Sequence, residues 1–68
     1  MKYNSGDILK NKFTDVHLMI VRKRNPDRLD NPFDVEHYDV QHLISGYISV
    51  YESMYLELNY KVVQKAKR

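Results

Sequence analysis

In the last third of the chain, Leu56, Leu58, Tyr60 and Val62 alternate strictly with Glu57, Asn59 and Lys61. Alternation of period two gives a strand with one dry and one wet face. The same run, Gly46 to Val62, carries Tyr47, Tyr51, Tyr55 and Tyr60, four of the six tyrosines. Aromatic and β-branched residues fit a half-buried pleated surface better than a helix. With Gly6-Asp7-Ile8-Leu9 near the other end, the pattern predicts a small closed β-barrel whose closing strand runs from Leu56 to Val63.

Sixty-eight residues make a single domain, 1–68, near the lower limit for a core that folds unaided. The expected ordered core is about 6–63, with a frayed basic tail at 64–68. No cysteine is present, so neither a disulfide nor a thiolate metal site staples the fold. Eleven basic against nine acidic residues leave a net charge of +2, mild for a dedicated nucleic-acid binder. The longest apolar run, Leu18-Met19-Ile20-Val21, falls far short of the roughly 20 residues a membrane helix needs. No signal-peptide apolar region follows Met1, so the expectation is a soluble cytoplasmic protein with no membrane partner.

Along the chain, Asn4-Ser5-Gly6 reads as a turn introducing a first strand from Asp7 to Phe13. Val16 to Arg24 is the second strand, and its consecutive apolar residues predict cover on both faces. Asn25 to Pro32, with two prolines, two asparagines and two aspartates, is a long loop. Phe33 to Ile44 is extended again, with Tyr38, Val40, His42 and Ile44 on one face. Ser45-Gly46 is a turn, Tyr47 to Tyr51 the fourth strand, and Glu52 to Tyr55 one tight helical turn. A rival assignment has physical grounds. Ile48, Tyr51, Tyr55, Leu58 and Val62 fall at helical spacing, and Ser49 with Glu52 has capping-box spacing. A helix from about Val50 onward would give an α+β fold, a short antiparallel sheet with a C-terminal helix. The alternation after Leu56 favours the all-β reading.

Taken together, Tyr3, Gly6-Asp7-Ile8-Leu9, His17 to Val21, Tyr38-Asp39-Val40-Gln41 and Tyr51 to Leu58 resemble the small SH3-like barrels of bacteria and their phages. The resemblance spans almost the whole chain on short motifs. It implies an all-β, five-stranded SH3-like barrel with one helical turn. The chain departs from the nucleic-acid-binding KOW variety in lacking a second glycine pair in the first hairpin. Small size, lysine, asparagine and tyrosine usage, and the lack of an enzyme motif resemble phage-encoded accessory proteins.

Candidate sites follow from spacing. His37 and His42 are an odd number apart and face opposite ways on a strand, so they do not clamp one ion together. His17 is the third histidine, and neither a metal nor a cofactor is expected. No Gly-x-Ser-x-Gly elbow, cysteine nucleophile or inward carboxylate pair is present, so no enzyme activity is expected. Arg22, Lys23, Arg24 and Arg28 form the main basic cluster, faced by Asp27, Asp30 and Asp34. If Ile48 and Val50 point inward, Tyr47 and Tyr51 point outward, where tyrosine offers contact area at low entropy cost. These residues predict a non-catalytic protein-interaction module. Its aromatic patch is Tyr47 and Tyr51 with Phe33 and Tyr55, rimmed by Arg22, Lys23, Arg24 and Arg28. The partner is another protein or a second copy, in the manner of a phage-type inhibitor or adaptor of a host protein. The alternative is a nucleic-acid-binding small barrel using the same basic rim.

Overall fold

The structure, a computed structural model, describes residues 3–24 and 36–66. Six elements occur in the order β1 (Ile8–Asn11), β2 (His17–Arg24), β3 (His37–His42), β4 (Ile48–Glu52), α1 (Ser53–Asn59) and β5 (Tyr60–Gln64). The strands form one antiparallel sheet in the order β4-β3-β2-β1-β5. Among the described residues β4 and β5 do not pair, so the sheet stays open and the expected barrel closure is absent.

The reason lies in α1. The Leu56-Glu57-Leu58 alternation that predicted a closing strand belongs to a seven-residue helix. Met54, Leu56, Glu57 and Leu58 are strong helix formers, and no β-branched residue occurs between Ser53 and Asn59. So short a helix does not stand alone and depends on its surroundings. The Ser53 N–H donates to the Glu36 carbonyl at 2.9 Å. At the other end Lys12 donates its backbone N–H to Asn59 O (2.7 Å) and its ammonium to Glu57 O (2.8 Å). Those bonds satisfy carbonyls the last turn leaves open, with positive charge at the favourable end. Only Leu56 of the helix is buried, while Leu58 is 64% exposed. The closing strand therefore starts at Tyr60. The rival reading held the right element type for Ser53 to Asn59 only: the helix starts at Ser53, not Val50, turns a different stripe inward, and gives way at Tyr60 to the closing strand of the all-β reading.

One face of the sheet is packed. Leu9, Leu18, Ile20, Tyr38, Val40 and Tyr60, with Tyr3 and Leu56 laid over them, make the core. Tyr3 and Tyr38 meet edge to face at 5.2 Å, a favoured arrangement for aromatic pairs. Among the described residues the other face has no second layer: Met19 is half-buried and Val21 exposed, so the apolar run of β2 is covered by them on one side only. Val21 is an extra residue where the β2–β3 register shifts between Ile20 and Arg22. Val63 is likewise extra where β5 meets β1 between Ile8 and Leu9. Bulges of this kind bend a strand and increase its twist.

Asp7 holds the open side together. Its buried carboxylate accepts the Asn4 N–H at 2.9 Å and the Ala66 N–H at 2.8 Å. The sheet thus continues past Val63 to Gln64, and Ala66 is anchored where a frayed tail was expected. Gly6 is required beside it: φ is +93°, and a Cβ there would lie 3.1 Å from the Ala66 Cβ.

Candidate functional site

In β4 the register reverses the expected facing. Tyr51 lies across from Tyr38 and Ser49 from Val40, and those β3 residues are core. Tyr51 therefore packs against the core, and Ile48 and Val50 point to the uncovered face, 54% and 44% exposed. Hydropathy alone favours the opposite phase. The larger ring area of Tyr51 outweighs it, because Tyr55 and Tyr60 supply rings to pack against.

A continuous file of rings results. Tyr47 approaches His42 (6.4 Å between centroids), and His42 approaches Tyr51 (6.2 Å), both near edge to face. Tyr51 lies against Tyr55 at 4.7 Å with planes tilted by 34°, and Tyr55 continues to Tyr60 at 6.3 Å. His42 is steadied by Ser49, with Nε2 3.2 Å from Oγ. The file is graded from wet to dry: Tyr47 is 70% exposed, Tyr55 43%, and Tyr60 buried. Met54, 65% exposed, comes from the same helix as Tyr55. A strand, a turn and a helix thus hold the rings in place before any ligand arrives.

The basic residues lie elsewhere. Arg22 and Arg24 pair with Asp39 and His37 across β2 and β3, on the face opposite the core. Arg22 Nε donates to Asp39 Oδ2 at 2.7 Å and Arg24 Nε to Asp39 Oδ1 at 3.0 Å. The two guanidiniums cover Asp39, whose side chain is 7% exposed. Hydrogen bonding from Arg22, aided by Arg24, outweighs burial and holds the Asp39 carboxyl below its ordinary value. Lys23 points the other way and pairs with Glu36 at 3.5 Å. Glu36 also accepts a 2.7 Å hydrogen bond from the Tyr38 hydroxyl, the main cause of its own lowered pKa.

The expected site therefore divides. Tyr47, Tyr51 and Tyr55 come together, with Tyr51 as a supporting residue packed on the core in place of an outward contact. Arg22 and Arg24 are on the far face, each committed to Asp39, and do not rim the rings. Phe33 and Arg28 lie outside the described residues. Sequence reasoning missed His42 and Tyr60 as members of the file. The signal for His42 was its shared strand face with Tyr38 and Val40; for Tyr60 none was available while it was read as plain core.

A cleft of about 280 Å³ opens at one end of the sheet, lined by Val16, His17, His42, Ile44 and Ser45. His42 joins it to the aromatic file. Ile44 stands 94% exposed at its lip because the strand ends at His42, two residues short of the expected Ile44. Gly46, at φ +76°, completes the turn, and its N–H donates to the His42 carbonyl at 2.8 Å. Among the described residues no three His, Asp or Glu side chains are grouped to hold a metal ion, and no helix is long and apolar enough to cross a membrane.

Comparison with protein-family models, curated proteins and solved structures gives no match for this chain.

Proposed function

We propose that this chain is a non-catalytic protein-interaction module that engages another protein through the exposed part of the aromatic file. The observation that carries this reading is the unbroken run Tyr47, His42, Tyr51, Tyr55, Tyr60, wet at one end and anchored in the core at the other. Aromatic side chains fixed by packing lose little entropy on binding and concentrate interface energy. Tyr47, Tyr55 and Met54 touch the partner; His42, Tyr51 and Ser49 hold them. An SH3-like identity is part of the proposal, supported by the strand order and by the short helix leading into the strand that returns to β1. A module this small, acting as an inhibitor or adaptor of the phage type, works by occluding or tethering its partner. The basic-rim alternative loses ground because Arg22, Arg24 and Lys23 each face a carboxylate.

The test is capture from a cell extract with the wild type and with Tyr47→Ala/Tyr55→Ala, Tyr51 being spared because it packs on the core. A partner retained by the wild type and lost by a variant with unchanged circular dichroism supports the reading. Equal capture by both overturns it. So does salt-sensitive retention of the wild type on single-stranded nucleic acid with no protein captured.

A further inference from the structure

The two edges of the sheet are built differently. The β5 edge carries the devices that discourage strand addition: Lys61 within it, Lys65 just beyond, and the bulge at Val63. The β4 edge, Ile48-Ser49-Val50-Tyr51-Glu52, has no lysine, proline or bulge, and its pairing with β3 is regular.

The phase of its backbone is fixed. Tyr47 O accepts from the His42 N–H, and the Ser53 N–H donates to Glu36 O, so residues 47 and 53 turn their polar groups toward β3. By the period of a strand, 49 and 51 do the same. Ile48, Val50 and Glu52 therefore present theirs to the outer edge, which pairs with no strand among the described residues. The Glu52 carbonyl is committed to starting α1, whose N-cap is Glu52. That leaves a donor at Glu52 and both a donor and an acceptor at Val50 and at Ile48; in the pairing below the Ile48 N–H stays with solvent.

We propose that β4 pairs with β4 of a second copy, antiparallel about a two-fold axis through Val50. In that register Val50 N–H donates to Val50 O of the second copy, and the reverse. Glu52 N–H donates to Ile48 O of the second copy, and the reverse. All four bonds use groups that the outer edge presents. The side chains are self-complementary. Val50 meets Val50 on the uncovered face, Ile48 lies beside the aliphatic stem of Glu52, and no like charges sit opposite each other. On the other face Tyr51 meets Ser49, so the two aromatic files fall side by side on one ten-stranded sheet. The edge bonds use the backbone of Ile48, Val50 and Glu52, none of them a ring of the aromatic file, so the dimer is tested independently of what that file binds.

The absence of cysteine makes the test clean. Opposed residues in a hydrogen-bonded antiparallel pair have Cα atoms about 5.5 Å apart, within disulfide range. Two Ile48 residues would be about 14 Å apart, out of range. Wild-type protein is expected to show dimer mass in light scattering, and Val50→Cys to crosslink under mild oxidation while Ile48→Cys does not. Val50→Lys places two ammonium groups on the axis and is expected to weaken the dimer about tenfold or more. A wild type that stays monomeric up to about 1 mM overturns the proposal. So does equal crosslinking at both positions, or a dimer indifferent to Val50→Lys. These readouts require no partner protein, so they fail separately from the capture experiment.

Discussion

The inner and outer faces of this sheet use the same strands for different ends. On the inner face Leu18, Ile20, Tyr38 and Val40 are wholly or almost wholly removed from water beneath Tyr3 and Leu56. On the outer face the neighbouring positions hold Met19, Gln41, Ile48 and Val50, none of them buried, and one buried carboxylate under two arginines. The inner face carries stability through area, and the outer face carries order through one ion cluster. A chain this small has material for one such core only.

The largest contrast between the faces is expected from truncating neighbours in β2. Leu18→Ala should cost about 2–5 kcal/mol, and Met19→Ala about 1 kcal/mol, read from urea unfolding. Equal costs would break the distinction between faces. Next, Asp39→Asn removes the negative charge and replaces one of the two accepting oxygens with an NH2 donor facing a guanidinium, and should cost about 1–3 kcal/mol by the same measurement. A neutral outcome would reduce the cluster to a solvated ornament of the outer face.

The acid limb sharpens this further. Asp39 has a lowered pKa when folded and one near 3.9 when unfolded, so the native state holds its proton less tightly. Its contribution is present above about pH 5 and is lost as pH falls through the unfolded value toward the folded one. Unfolding measured between about pH 5 and 2 should show a shallower loss in Asp39→Asn. Glu36 shifts in the same direction but is about one-third exposed, and screening reduces its share. The smallest effect is at Tyr47. Tyr47→Ala should change stability by less than about 0.5 kcal/mol while reducing partner capture. A large stability loss would make the wet end of the file part of the core.

Strands were legible wherever side-chain alternation and burial agree, as in β2 and β3. The β2 strand was placed within one residue at its start, and Tyr38 with Val40 was assigned one face. The misses have two causes. Leu56-Glu57-Leu58 alternates like a strand while its residues favour a helix, and tertiary contacts from Lys12 and Glu36, distant in sequence, decide between them. In β4 a slip of one residue exchanges the faces. Ile48 and Val50 look like core until Tyr55, on the following helix, supplies a ring for Tyr51. The arginines were visible as a cluster, but their pairing with Asp39 depends on the shift at Val21 that brings Arg22 opposite it. No local pattern announces such a shift.

The Asp7 carboxylate also bears on how fast this fold is reached. It joins the turn at Asn4 to Ala66, which lies 59 positions beyond Asp7 itself. The pairing of β1 with β5 is similarly remote, from 49 positions for Asn11 with Tyr60 to 56 for Ile8 with Gln64. Kinetics dominated by such remote pairing belong to the millisecond-to-second range rather than the microseconds of helical bundles. If that clasp forms after the rate-limiting barrier, weakening it quickens unfolding and leaves refolding unchanged. Asp7 would then act as a latch on the lifetime of the native state.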